Sequence, residues 1–179
     1  MAYDFAIELV VAVAQFIVGL LFAMGGVYVA LRLFDRFTGS MDEWKEMKKG
    51  NVAVGLLLGG IILSISIILE SGVSSLTNAI VPGASVSALL MALIFGLANL
   101  LISIIAAVVS IYVAIKVLDW ITTDIDEMAE LKKGNVAVAI VMVAVLIAVS
   151  FVIRGAVNGI TQLVSAENLS FWLSQLVKR

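Results

Sequence analysis

Two amide side chains, Gln15 and Asn99, interrupt otherwise continuous apolar segments. An unsatisfied polar group costs several kcal/mol in hydrocarbon, so each amide must face protein or water. On a helix, Gln15 shares a face with Gly19, and Asn99 shares one with Ser103 and Ser110, so we expect the two small, polar faces to meet. Two interpretations stay open: close-packed helices bonded by the amides, or a water-filled path.

A second pair, Glu70 and Arg154, occupies equivalent positions at the outer ends of the second and fourth apolar segments. Their opposite charges predict an ion pair. One interpretation is a structural latch, because both side chains can extend into the water at the interface. The other is an outer gate that recruits ions, since charges at membrane depth are often functional.

Two Gly-Asn pairs, Gly50-Asn51 and Gly134-Asn135, precede the second and fourth segments. Glycine suits a tight turn, and asparagine is a good N-cap, so the pattern predicts helix starts. Alternatively, both asparagines line an inner vestibule at the same depth.

Acidic residues cluster beside these turns, and oxygen ligands of this kind bind Mg²⁺ and other hard cations. We favour the alternative in which they cap helix starts and pair with neighbouring lysines, and we predict no metal site and no cofactor. The four most prominent are Asp35, Glu46, Asp119 and Glu130.

The chain contains an internal repeat. Residues Lys48–Val54 recur as Lys132–Val138, an offset of 84 residues, and the same offset without gaps pairs Asp35 with Asp119 and Gln15 with Asn99. Repeats of this kind indicate duplication of one structural unit. We predict a first repeat over 1–80, a second over 81–160 and an amphipathic tail over 161–179.

The composition predicts a membrane protein. Of 179 residues, 63% are hydrophobic and only 13% are charged, far from the soluble norm of roughly a quarter charged. Runs of about 20 apolar residues span a bilayer. The fold class that follows is all-α, with four transmembrane helices. The predicted spans are 5–33, 52–69, 86–118 and 136–153.

An even number of spans in each repeat requires both copies to insert the same way, as parallel repeats. Most of the lysines and arginines flank the first and third connections, which places those connections in the cytoplasm. The N- and C-termini then lie outside. This arrangement predicts a multi-pass protein.

Short interfacial helices are expected in both cytoplasmic connections. Ser40 and Glu43 have capping-box spacing, and Asp124 and Glu127 repeat it with Asp as the cap. The tail predicts one further helix on the outer surface, anchored by Trp172.

The string of Asp, Thr, two acidic residues and Glu-x-x-Lys-Gly-Asn-x-Ala-Val stands at Asp35–Val54 and again at Asp119–Val138. It resembles the YjfL-like family of prokaryotic membrane proteins, also known as domain-of-unknown-function family 350. The resemblance implies a location in the prokaryotic plasma (inner) membrane. The family brings no established reaction or ligand.

The sequence makes several function classes improbable. With a net charge of −2 and no basic tract, a nucleic-acid partner is not expected. The absence of Cys and His and of any nucleophile-base pair argues against an enzyme. The leading hypothesis is a channel-like or transport-type protein that acts as a homo-oligomer in the lipid bilayer. The alternative is a membrane organiser that docks a cytoplasmic protein partner.

Overall fold

A computed structural model describes residues 2–38, 43–78, 80, 83, 85–122 and 124–163, with the side chains of 2–4, 37, 38, 43 and 88 left out of the description. Six helices and no strand occur in these ranges. They are α1 (Ala2–Thr38), α2 (Glu43–Lys48), α3 (Val52–Thr77), α4 (Val86–Ile121), α5 (Glu127–Lys132) and α6 (Val136–Leu163). The predicted tail helix, its Trp172 and the cap residue Ser40 lie outside the described residues.

Four of the helices, α1, α3, α4 and α6, are long and apolar enough to cross a membrane. This confirms the predicted all-α fold with four candidate spans. The starts of α3, α4 and α6 fall where the apolar runs begin, whereas α1, α3, α4 and α6 all continue beyond the predicted ends. The backbone hydrogen bonds of a helix do not stop at the first polar side chain, so apolar runs underestimate helix length.

The short helix α5 begins two residues later than predicted. Its N-cap is Asp126, whose side chain accepts a hydrogen bond from the Ala129 amide at 2.9 Å, so the prediction of Asp124 as the cap is wrong. A turn in which the Ile125 amide bonds the Thr122 carbonyl occupies the preceding residues. Both aspartates have the right chemistry for a cap, and this turn selects the second.

Helix α3 lies at the centre of the bundle and packs against α1, α4 and α6. The two repeats are not arranged symmetrically: α3 and α4 share a large interface, and α1 and α6, which are the equivalent pair in the repeat, do not. As a result, α3 is buried over most of its length, and α1 remains exposed.

Glycines set the closest approaches between helices. A Cβ built on Gly72 would lie 2.9 Å from the Leu100 Cα, and one built on Gly60 would lie 2.5 Å from a Val143 methyl group. Only glycine allows α3 to approach α4 and α6 this closely, which is the usual packing strategy of helices in lipid.

The two repeats are parallel. The Asn51 side chain bonds the Leu131 carbonyl, so the two Gly-Asn turns lie at one end of the bundle. The ion pair between Glu70 and Arg154 joins α3 and α6 at the other end. We call these the turn end and the ion-pair end; at about 1.5 Å per residue they are roughly 28 Å apart along α3, close to the thickness of a hydrocarbon core.

Candidate functional site

The Gln15 amide bonds the connection between the two repeats. Its Nε2 donates to the Ile80 carbonyl at 2.9 Å, and the side chain is partly buried. Ile80 follows the last turn of α3, so Gln15 lies level with the ion-pair end rather than at mid-membrane. Residues 79, 81 and 82 around it lie outside the described residues.

Asn99 is 1% exposed and joins three helices. Its Nδ2 donates to the Ser75 Oγ of α3 at 2.6 Å and to the Thr161 carbonyl of α6 at 3.4 Å. Gln15 therefore bonds elsewhere, and the expectation that the two amide faces meet is wrong. The reason is the unequal packing of the repeats: α4 packs against both α3 and α6, whereas α1 packs mainly on α3 and α4.

The polar serines around Asn99 do not form a continuous path in the described bundle. Ser103 is fully buried and donates to the Asn99 carbonyl of its own helix at 3.0 Å, while Ser110 is partly buried a further two turns along. Ser66 and Ser150 likewise bond carbonyls one turn back, as is common for serine in apolar helices. The Oγ of Ser64 and the Oδ1 of Asn99 are buried without a described partner.

Glu70 and Arg154 form an ion pair, with Arg154 Nη2 2.8 Å from Glu70 Oε2. Both side chains are about half exposed. They line an open cleft of about 470 Å³ between α3 and α6, together with Ser71, Ser74 and Asn158. Glu70 also accepts a hydrogen bond from the Ser74 hydroxyl.

At the turn end, Asn51 performs two tasks. Its Oδ1 accepts from the Val54 amide at 3.2 Å, which caps α3 as predicted. Its Nδ2 donates to the carbonyls of Leu131 at 2.8 Å and Lys132 at 3.4 Å, at the C-terminal end of α5. This second bond joins the two repeats, and motif spacing alone gave no sign of it.

Asn135 has the same position in the second repeat but different partners. Its Oδ1 accepts from the Ala137 and Val138 amides, and its Nδ2 donates to Glu130 Oε2 at 2.8 Å, within the repeat. The preceding glycines, Gly50 and Gly134, have φ of +82° and +85°. Only glycine adopts this left-handed conformation without strain, which explains the Gly-Asn pair at both turns.

The repeated motif and the parallel packing agree with the comparison to known families. A family model described as Domain of Unknown Function (DUF350) matches residues 4–103 and again 92–177. The chain belongs to the DUF350 family. The two matched segments overlap over residues 92–103 and are consistent with a tandem repeat. No curated protein and no solved structure matches the chain.

Acidic side chains of this DUF350 protein act as caps and ion-pair partners. Glu46 lies 2.6 Å from Lys49, Glu130 lies 2.7 Å from Lys133, and Asp119 lies 3.3 Å from Lys116. Within the described ranges no group of three or more acidic residues could hold a metal ion. Asp35, equivalent to Asp119, is exposed.

These pairs shift the ionisation of the carboxyl groups. The hydrogen bond from Lys49 lowers the pKa of Glu46, and hydrogen bonds from Asn135 and then Lys133 lower the pKa of Glu130. The bond to Glu130 raises the pKa of Lys133. Each shift favours the charged form of the group, so these ion pairs are present at neutral pH and stabilise the turns.

Glu127, which in the sequence is recognisable only as part of a capping pattern, is 4% exposed. It accepts a hydrogen bond from the Thr122 hydroxyl. Burial raises the pKa of its carboxyl, and the neighbouring Asp119 adds to the effect. The sequence carries no signal for this burial, because it arises from the turn that places α5 against the end of α4.

Proposed function

We propose that this DUF350 protein is a membrane organiser. In this proposal its four helices assemble with other copies in the bilayer and hold a platform for a protein partner. The platform consists of α2, α5 with the turn at Ile125 that precedes it, and the two Gly-Asn turns.

The observation that carries the proposal is the hydrogen bond from Asn51 to the Leu131 carbonyl. It fixes the two turns relative to each other. Both asparagines, Glu46 and Glu130 are also bonded within the platform. Rigid, preorganised surfaces bind partners with less loss of conformational entropy, so a platform fastened in this way suits docking.

The polar groups inside the bundle favour the same function. Asn99 and Ser103 bond neighbouring helices or their own helix, as side chains that hold helices together do. The rest of the described interior consists mainly of packed apolar side chains, with a few buried hydroxyl groups such as those of Ser64 and Ser150. A single copy therefore gives little support for a permeation path through its centre.

The platform exposes the groups that a partner would contact. Trp44 is 60% exposed and Ile125 is 48% exposed, beside the exposed lysines Lys48 and Lys132. The lysine-rich turn end favours a cytoplasmic position under the positive-inside rule, with both termini outside and the prokaryotic plasma membrane as the location. The expected partner is a protein that offers acidic and apolar side chains. The proposal assigns no catalytic reaction to the chain.

Site-specific photo-crosslinking in intact cells tests the platform. A photoreactive amino acid at Trp44 or Ile125 should yield a discrete adduct with another protein. The matched control is Leu101, which is 59% exposed on the membrane-facing side of α4. Absence of adducts at both platform positions, with the protein correctly inserted, would contradict docking at this surface.

Transport is the second candidate function, and the cleft at the ion-pair end favours it. Glu70, Arg154 and Asn158 place charged and polar groups on an open surface between α3 and α6. A path between copies would begin at such a surface. Ion flux in proteoliposomes decides between the two: flux that Glu70→Gln and Asn158→Leu reduce supports transport, and no flux of any common ion supports the organiser.

A further inference from the structure

The internal repeat allows each surface of one half to be compared with its equivalent in the other. On α4, a stripe of three residues faces the bundle: Leu100, Ile104 and Val108 are 6%, 5% and 4% exposed. Their equivalents on α1, at the offset of 84 residues, are Phe16, Leu20 and Met24, which are 70%, 48% and 65% exposed. We call these three residues of α1 the α1 stripe.

The same comparison reveals an exposed stripe on α6. Ile68, Gly72 and Leu76 of α3 are buried. Their equivalents on α6 are Val152, which is 73% exposed, Ala156, which is also exposed, and Ile160, which is 46% exposed. We call these three residues of α6 the α6 stripe.

Inside the chain, these two kinds of surface cover each other. Gly72 of α3 lies against the backbone of Asn99 and Leu100 of α4, and Leu76 lies against Gly96. A face of α3 in the first repeat is therefore covered by α4 of the second repeat. The α1 stripe and the α6 stripe are both exposed in the described chain, although other residues of α1 pack on α3 and α4.

We propose that a second copy of the chain completes this arrangement, with the α1 stripe of one copy packed on the α6 stripe of the next. The contact would repeat the antiparallel packing of α4 on α3. Both copies keep the same orientation in the membrane, because α1 and α6 run in opposite directions, as α3 and α4 do. This inference deepens the assembly of copies in the proposed function by naming the faces that assemble.

The sizes of the side chains set the spacing of this contact. In the chain, a Cβ on Gly72 would lie 2.6 Å from the Ser103 Oγ and 2.9 Å from the Leu100 Cα. At the equivalent contact between copies, Gly19 stands in place of Ser103 and has no Oγ, whereas Ala156 has a Cβ where Gly72 has none. The two helices of different copies therefore lie further apart than α3 and α4 do.

Two glycines beside the α6 stripe support the contact between copies. A Cβ on Gly155 or Gly159 would meet no atom within 4 Å in the single copy. Glycine in a helix costs up to about 1 kcal/mol relative to alanine, and contact with lipid alone gives nothing in return. Close approach by another helix offsets this cost, because it adds van der Waals contacts between the two backbones.

The separation increases further beyond the ion pair. Ala12 and Ile160 stand where Gly96 and Leu76 touch inside the chain. The added methyl group and the β-branched side chain hold the helices further apart there. The contact between copies is therefore centred on Phe16 and Ala156, close to the level of the ion pair.

A contact between two different faces of one chain is heterologous, so copies add head to tail. Such an assembly closes into a ring or continues as a row, depending on the rotation between copies. Each copy in the interior of the assembly then buries both the α1 stripe and the α6 stripe.

Cysteine cross-linking tests the proposed contact directly, because the natural chain contains no cysteine. Two differently tagged full-length chains, Phe16→Cys and Ala156→Cys, are co-expressed, and their membranes are oxidised with copper phenanthroline. We expect a disulfide-linked heterodimer as the main product, since the equivalent positions 100 and 72 face each other across the contact of α3 with α4.

The matched control replaces Phe16→Cys by Ile17→Cys. Ile17 is 51% exposed at nearly the same depth, and its equivalent Leu101 is exposed as well, so it belongs to a lipid-facing side. We expect several-fold less heterodimer with Ile17→Cys. Equal yields from both positions would indicate random collision and overturn the proposed contact.

The mass of the assembly in lipid nanodiscs distinguishes failure of the α1–α6 contact from failure of the proposed assembly of copies. An oligomer that shows no preference for Phe16→Cys overturns the α1–α6 contact and indicates that the copies assemble through another face. A monomer overturns the contact and the proposed assembly together.

Discussion

Single side chains hold the two repeats together at the turn end. Asn51 shows how one residue type serves two purposes, because its amide has both an acceptor and a donor. The sequence predicted the acceptor, which caps α3. It could not predict the donor, because the partner carbonyl of Leu131 is brought near only by the packing of α5.

Asn51→Ser separates the two roles of the amide. Serine still caps a helix, but its hydroxyl is too short to reach the Leu131 carbonyl. We expect a loss of about 1 kcal/mol in the free energy of unfolding, typical of one hydrogen bond. Asn51→Ala should cost about 1 kcal/mol more, because it removes the cap as well. Intrinsic tryptophan fluorescence during denaturation measures both.

Asp126→Ser is the matched control, since Asp126 caps α5 and the structure gives its side chain no bond across the repeats. It should change the free energy of unfolding by less than Asn51→Ser does. If both serine variants unfold like the natural protein, the bond between the repeats contributes nothing to stability.

Glu127 gives a pH dependence with a defined sign. Burial raises the pKa of its carboxyl in the fold above the unfolded value. The stability that it contributes is complete below the unfolded pKa and is lost as the pH rises through the raised one. Glu127→Gln should therefore raise the melting temperature at neutral pH, and the gain should shrink on acidification toward about pH 4.

Glu130→Gln provides the opposite case in the same short helix. Asn135 and Lys133 lower the pKa of Glu130, so its contribution is present above the unfolded pKa and is lost as the pH falls through the lowered one. This variant should be less stable than the natural protein at neutral pH and approach it at low pH. If the melting temperatures of both variants change in the same direction with pH, the opposite signs assigned to Glu127 and Glu130 are contradicted.

At the scale of helices, the predictions were most successful where the chemistry is local. The starts of α3 and α6 follow from Gly-Asn turns, whose glycine conformation and cap are properties of the dipeptide itself. The ends of the helices and the choice of Asp126 over Asp124 depend on neighbouring elements. Apolar periodicity does not report these contacts, so the sequence could not supply them.

Gly72→Ala tests the close approach of α3 and α4. The new Cβ would lie 2.9 Å from the Leu100 Cα, and a backbone atom cannot rotate away as a side chain can. We expect a loss of about 1–3 kcal/mol, the usual cost of overpacking. Gly59→Ala is the control on the same helix, because its Cβ would meet no atom within 4 Å. It should be neutral or stabilising by up to about 1 kcal/mol.

At the scale of the whole molecule, duplication predicted parallel repeats but not their unequal packing. An offset of 84 residues shows which residues are equivalent, and says nothing about which equivalent surfaces meet. The positions of Gln15 and Asn99 illustrate the difference, since they occupy matching places in the repeat and bond unrelated partners. The meeting of the two amide faces was predicted from symmetry, and the symmetry is broken by the central position of α3.

The two repeats are joined at both ends of the bundle, by Asn51 at the turn end and by Glu70 and Arg154 at the ion-pair end. Arg154→Glu should lower the melting temperature, because it places two carboxylates side by side. The double variant Glu70→Arg with Arg154→Glu should restore most of the loss. A half-exposed pair contributes up to about 1 kcal/mol, and high salt should reduce the difference between the single and double variants.

Failure of the double variant to recover would show that the local surroundings of each charge, rather than their attraction, matter at this end. The combination of Arg154→Glu with Asn51→Ser extends the test to the whole molecule. The two sites are roughly 28 Å apart along α3, and effects at that distance normally add. In each single variant, the bond at the other end still holds the two repeats together. A loss of stability in the combined variant that is larger than the sum of the two single losses would therefore mean that the repeats separate as one unit once both ends are released.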